Sequence, residues 1–118
     1  MPVNKYEAGQ QGQAQAENHL ISAGYKILAK NYRTRTGEID LIARGGDGYI
    51  VFIEVKYRTS INYGSPAEAV NARKQQKIIR TALFYISQNR LNNHDFRFDV
   101  IEVLGTEVNH IENAFGAG

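Results

Sequence analysis

The sequence predicts an α/β domain whose mixed β-sheet is covered by helices on both faces, and three observations carry this. Residues 37–56 hold two runs rich in β-branched and aromatic residues around the turn signal Gly45-Gly46-Asp47-Gly48, which is the pattern of an antiparallel hairpin. From Ala72 to Gln88, Ile78, Ile79, Ala82, Leu83 and Ile86 recur at helical spacing, with Arg73, Lys74, Lys77 and Arg80 on or beside the opposite face. A further β-rich run, Phe96–Leu104, follows that helix. A hairpin joined by a helical crossover to another strand gives a mixed sheet, and right-handed crossovers leave few topologies to choose from.

The elements follow in order. Met1–Tyr6 shows no periodicity, so residues 1–8 are expected to form a loose end. Gly9–Ala23 is rich in Ala and Gln, with Ala16, Leu20 and Ile21 marking one helical face. Gly24 closes that helix, because only glycine enters the left-handed conformation without strain. Tyr25–Tyr32 alternates and reads as the first strand, and the hairpin comes next. Tyr57–Gly64 is a polar connection. Ser65-Pro66-Ala67-Glu68 has the residues of a helix start: an N-cap, a first-position proline and a capping-box acid. Asn71 can cap a second start, which would make Pro66–Val70 a separate short turn. Asn92-Asn93-His94-Asp95 breaks the long helix, and Val108–Phe115 adds an edge strand to the last core strand. The order is helix, strand, hairpin, helix, strand, in a single domain over residues 1–118.

Composition sets the outer limits. An apolar fraction of 42% and a charged fraction of 22% are those of an ordinary globular protein. The absence of cysteine excludes disulfides and thiolate metal sites, and fits a cytoplasmic location. No run has the length of a membrane span, so no membrane partner is expected. A net charge of +2 does not make a polycation, so any binding to nucleic acid must come from local clusters of Lys and Arg.

The hairpin carries charges where a buried strand should be apolar: Asp40 between Ile39 and Leu41, Glu54 between Ile53 and Val55, then Lys56. Positions two apart share a strand face, so Glu54 and Lys56 point the same way. A register opposing Asp40 to Glu54 would also oppose Glu38 to Lys56. Opposed Cβ atoms lie roughly 4.5–5.5 Å apart, close enough for two carboxylates to hold one divalent cation. A solvent-facing strand edge with an incidental salt bridge would show the same residues. Glu38 either ion-pairs with Lys56 or marks the strand entrance.

Asp40 with Glu54-Val55-Lys56 resembles the PD-(D/E)xK nuclease signature. Gly37-Glu38-Ile39-Asp40-Leu41-Ile42, Val51–Lys56 and Tyr63–Val70 together resemble the small bacterial YraN-type family, placed near Holliday-junction resolvases, and the likeness runs from Gly9 to Asn113-Ala114-Phe115. The resemblance implies a restriction-endonuclease-like α/β core and a metal-dependent endonuclease acting on structured or branched DNA. It also implies Mg²⁺ or Mn²⁺ held by Asp40, Glu54 and the Val55 carbonyl, with Lys56 orienting the attacking water or stabilising developing charge.

The first helix departs from the family. Where the family shows Gly-Glu and the acid completes the metal site, this chain has Gly12-Gln13, with Glu17 one turn on. Three outcomes are open: Gln13 ligates weakly through its amide oxygen, Glu17 stands in, or the site is impaired. In the last case the chain is a nucleic-acid-binding module with attenuated cleavage. Arg33, Arg35, Arg58, Arg73, Lys74 and Lys77, with Lys30 and Arg80 beside them, are the candidates for tracking phosphates, against the reading of solvated charge. Tyr32, Tyr57 and Tyr63 could stack on bases. His19, His94 and His110 show no ligand spacing and are read as structural, and Asp99 is expected to satisfy backbone or arginine partners. A homodimer would suit symmetric cutting of two strands.

Overall fold

The computed structural model describes residues 5–58 and 70–116. Its elements are α1 (Lys5–Ser22), β1 (Lys26–Thr34), β2 (Gly37–Arg44), β3 (Ile50–Arg58), α2 (Ala72–Gln88), β4 (Phe96–Leu104) and β5 (Glu107–Phe115). The five strands form one sheet in the order β1-β2-β3-β4-β5. The β3–β4 pair, bridged by α2, is parallel, and the other three pairs are antiparallel. This is the mixed sheet expected. The first helix begins at Lys5, four residues before Gly9, which shortens the expected loose end. The proposed start at Ser65-Pro66 and the candidate Tyr63 lie outside the described residues.

Two cores sandwich the sheet. On one side Ala16 and Leu20 of α1 pack with Leu41, Ala43, Val51, Ile53, Ile101 and Val103. On the other, Ile78, Ala82, Tyr85 and Ile86 of α2 pack with Ile39, Ile42, Ile50, Phe52, Phe98, Val100 and Phe115. A row of stacked rings, Phe52–Phe98–Phe115, crosses β3, β4 and β5 with centroids 5.5 and 5.3 Å apart.

Leu83 and Ile21, expected on the buried faces, are instead 56% and 53% exposed. Both fail for one reason: each lies five residues from a buried anchor, Ile78 and Ala16 respectively, and so roughly 140° round the helix. Thr81 and Tyr85 take the interior places on α2.

The α1 helix buries few large side chains, and it lies close to the sheet because Gly12 faces Tyr57. A Cβ at Gly12 would come within 2.9 Å of the Tyr57 ring and 3.0 Å of its Cβ. Gly24, with φ of 91°, ends the helix in the left-handed region as expected.

The histidines are less scattered than their spacing suggests. His110 Nε2 lies 2.7 Å from Asp99 Oδ2, and His110 Nδ1 lies 3.2 Å from His19 Nε2. Because a carboxylate only accepts, His110 donates from Nε2, and its Nδ1 shares a hydrogen bond with His19 Nε2. Asp99 is fully buried and also accepts from Arg97 Nε (2.9 Å), Arg97 Nη2 (3.0 Å) and the Asn113 N–H (2.9 Å). The network ties α1, β4 and β5 together. Burial alone would raise the Asp99 carboxyl, but the His110, Arg97 and Asn113 hydrogen bonds hold it below the usual carboxylate range. Its contribution to stability is therefore present above the unfolded value of 3.8 and is lost as pH falls through the lower folded value. Asp99→Ala should cost about 3–5 kcal/mol in urea denaturation at pH 7, because it takes the shared buried acceptor from Arg97, His110 and the Asn113 N–H and leaves Arg97 only its longer ion pairs, 3.8 Å to Asp47 and 3.9 Å to Glu112. That loss should shrink as the denaturation is repeated at successively lower pH below the unfolded 3.8, as the parent's carboxylate is protonated.

Candidate functional site

Strand β2 pairs with β3 only from Leu41↔Ile53 to Arg44↔Ile50. Towards its start β2 stays with β1, through Gly37↔Thr34, Glu38↔Arg33 and Ile39↔Tyr32, while β3 continues beside β4 as far as Arg58↔Leu104. The two strands thus part beyond Leu41 and Ile53, and Asp40 stands at the fork. Its Oδ2 accepts the Val55 N–H at 2.8 Å, replacing the ladder bond that the parting strands leave unmade. Continuing the register puts Asp40 opposite Glu54, as the sequence suggests.

Asp40 lies in the wall between two clefts. One, of about 610 Å³, is lined by Gln13, Glu17, Lys30, Arg33, Glu38 and Val55 among others, so it faces α1. The second, of about 570 Å³, is lined by Glu38, Glu54, Arg73, Lys74 and Lys77 among others, on the α2 side. Burial, and then the Glu54 charge, push the Asp40 carboxyl up to about 7 against the pull of the Val55 N–H and Lys74.

Glu54 is buried and holds two lysines on one oxygen. Lys74 Nζ is 2.5 Å and Lys56 Nζ 3.5 Å from Glu54 Oε1. Lys74 reaches it because Asn71 caps α2, accepting the Lys74 N–H at 2.9 Å, and sets Lys74 in the first turn above the end of β3. Burial works against the Lys74 ammonium, but its hydrogen bond to Glu54 and the charges of Glu54 and Asp40 carry it above the usual lysine range. Burial, reinforced by Lys74, lowers that of Lys56. In the sequence Lys74 reads as a phosphate-binding residue, and its place on Glu54 is missed. The N-cap signal at Asn71, one turn before the lysine and following the Glu-x-Lys strand, is the feature that points to it.

The remaining candidates divide. Of the two readings of Glu38, the pair with Lys56 does not form: Glu38 meets Arg33 at 3.2 Å, because β2 follows β1 and not β3 at that level. Gln13 and Glu17 do reach the Asp40 cleft, and Glu17 is held by Lys30 at 3.3 Å. Arg58 turns to Glu102 at 3.0 Å. Arg73 and Lys77 line the α2 cleft with no ion pair among the described residues, and Arg35 is exposed in the β1–β2 turn.

The donors fit a hard divalent cation in kind: carboxylate oxygens from Asp40 and Glu54 flank one fork, and the charge of Glu54 helps hold Asp40 protonated where a cation would relieve it. They are few, however. Among the described residues no three His, Cys, Asp or Glu side chains are grouped as a metal centre. No described helix is long and apolar enough to cross a membrane.

A small α/β domain with an acid-and-lysine cluster where its sheet forks is the class that this geometry defines. The chain belongs to Uncharacterised protein family UPF0102, whose model matches residues 12–103. This is the YraN-type family that the Gly37–Ile42 and Val51–Lys56 motifs resemble. A UPF0102 protein of Clostridioides difficile (strain 630) is 51% identical over 96% of this chain and 100% of its own length. One of Lachnoclostridium phytofermentans is 47% identical over 98% of each. Among solved structures, a repair endonuclease from Pyrococcus abyssi is similar at TM-score 0.49 and 16% identity, over 88% of this chain and 40% of that one. A chain of an EndoMS-dsDNA2 complex is similar at 0.44 and 20%, over 85% of this chain and 36% of that one.

The Asp40 carboxyl yields a pH prediction for metal-free protein. Its folded value, about 7, lies above the unfolded 3.8, so the native state binds the extra proton and stability falls as pH rises from 3.8 to 7. Asp40→Asn keeps an oxygen for the Val55 N–H and removes that fall. At a pH of about 8 its melting temperature should exceed the parent's, by roughly 1–3 kcal/mol of stability, and it should match the parent at about pH 4. A variant less stable than the parent at the higher pH would mark Asp40 as a structural charge.

Proposed function

We propose that this protein is a metal-dependent endonuclease that hydrolyses phosphodiesters in structured or branched DNA. The observation that carries the reading is the fork, where a half-buried Asp40, raised by desolvation and then by its neighbour Glu54, stands between two clefts edged by basic side chains, with Lys56 against Glu54. Asp40 and Glu54, with the Val55 carbonyl, are the residues that would hold Mg²⁺ or Mn²⁺, and the ion would polarise the scissile phosphate and activate water. Lys56, on the same face as Glu54, would steady the charge developing on the phosphate. Arg73 and Lys77 on one side, with Lys30, Arg33 and Arg35 on the other, would take flanking phosphates. Two strands cut symmetrically would call for a homodimer.

A second reading, a DNA-binding module with attenuated cleavage, is favoured by one specific feature. Gln13 faces Asp40 across the α1 cleft where the family resemblance expects glutamate, and a neutral amide is a poorer partner for a hard cation.

Labelled four-way junction and matched linear duplex, each with Mg²⁺, Mn²⁺ or chelator, test the reading directly. Metal-dependent cutting of the junction is the expected result, weak in the parent and raised about tenfold or more in Gln13→Glu. Absence of cutting by both proteins, with binding retained, would leave the binding module. In either case affinity should fall steeply with salt. Arg73→Ala with Lys77→Ala should reduce that slope by about one for every phosphate the variant no longer neutralises.

A further inference from the structure

Glu54 is surrounded in an unusual way for a metal-binding acid. It is a single buried carboxylate whose one oxygen, Oε1, already meets two ammonium groups, Lys74 at 2.5 Å and Lys56 at 3.5 Å. One negative charge thus faces two positive ones. A divalent cation on Glu54 would bring two more positive charges to the same carboxylate, and like charges at such distances in a buried site repel strongly. One lysine has to leave before the ion can settle.

The surroundings decide which. Lys56 is held on β3, its side chain 24% exposed, within the same strand face as Glu54. Lys74 comes from another element, is 41% exposed, and has Glu54 as its one ion-pair partner among the described residues. Its helix neighbours Arg73 and Lys77 line the same cleft, and residues three apart lie side by side along a helix. A Lys74 released from Glu54 therefore falls into a row of cations facing the cleft.

We propose that Lys74 is an exchangeable counter-ion: it occupies Glu54 in the metal-free protein, yields that oxygen to the divalent cation, and then takes a phosphate of the nucleic acid. This rests on the reading of Asp40 and Glu54 as a metal site, and it adds an order of events. The protein holds its acid neutralised until the ion arrives, and the arrival of the ion releases a phosphate ligand. Metal and DNA then bind cooperatively through one side chain.

The test compares the parent, Lys74→Gln and Lys74→Arg, without turnover. Mn²⁺ affinity is measured by calorimetry in the absence of DNA, and junction binding is measured against salt with and without Ca²⁺. Lys74→Gln should bind Mn²⁺ about tenfold more tightly than the parent, while Lys74→Arg, which keeps the charge, should stay near the parent value. Adding Ca²⁺ should steepen the parent's salt dependence by about one neutralised phosphate and leave that of Lys74→Gln unchanged. Equal Mn²⁺ affinity in the parent and Lys74→Gln would overturn the exchange and leave the metal site standing. No Mn²⁺ binding by any of the three, with circular dichroism showing them folded, would overturn the metal site and the exchange together.

Discussion

The hydrogen bond from the Val55 N–H to the Asp40 carboxylate governs the architecture around it. Two strands that part in the middle of a sheet leave donors and acceptors with no ladder partner, and a buried amide without one costs free energy. Here a side chain supplies the missing acceptor at 2.8 Å. That lets β2 follow β1 while β3 follows β4, and it opens a cleft on each side of the sheet. The acceptor that closes the gap is a carboxylate, so the same atom group that permits the fork also charges it. Leu41 and Ile53, the last paired residues before the fork, are both fully buried and fix the register from the core side.

Much of this is legible in the sequence because it depends on short periods. The alternation through Leu41–Ala43 and Val51–Lys56 specifies which face each of those residues takes, and Gly45–Gly48 specifies the turn, so counting residues brings Asp40 level with Glu54; it does not show that β2 breaks its alternation there, with Ile39 on the α2 side and Leu41 on the α1 side. The end of α1 at Gly24 and the second helix start at Asn71 are legible for similarly local reasons. Side-chain pairing is not. From the sequence Glu38 either pairs with Lys56 or marks the strand entrance, and only the divergence of β2 from β3 turns it to Arg33. His19 and His110 are separated by most of the chain and meet because α1 lies across β4 and β5. Leu83 and Ile21 look like core residues by type, and only the phase of each helix turns them outward.

The carboxylates of this sheet stand in two different surroundings. Asp99 has all its neighbours in place: one arginine, one histidine and one backbone N–H, each donating to it. It is a satisfied charge whose partners come from its own sheet, and it holds α1 against the strands through His110 and His19. Asp40 and Glu54 are unlike it. Asp40 has one backbone donor, lies near another acid, and is pushed towards protonation. Glu54 borrows its principal partner from a half-exposed lysine on a helix. A carboxylate surrounded by donors is held low, as at Asp99, while one with a single donor beside another acid is left raised, as at Asp40.

The α1 helix is the remaining variable in the site. Its closeness to β3 depends on Gly12, because a side chain there would meet Tyr57 at 2.9 Å, and that closeness brings the next residue, Gln13, to the rim of the Asp40 cleft. Position 13 is therefore held close whatever its side chain, and its chemistry alone determines how much negative charge the fork presents. With glutamine there, the acids at the fork are Asp40 and Glu54, and two lysines already balance Glu54. A glutamate at the same place would line the α1 cleft with Asp40, beyond the reach of those lysines along the α2 cleft, and would add an oxygen donor on the side where Lys30 and Arg33 already meet Glu17 and Glu38. The charge balance of this fork thus rests on one uncharged residue facing Asp40 and one movable lysine beside Glu54, and both hang on helices whose positions the two cores fix.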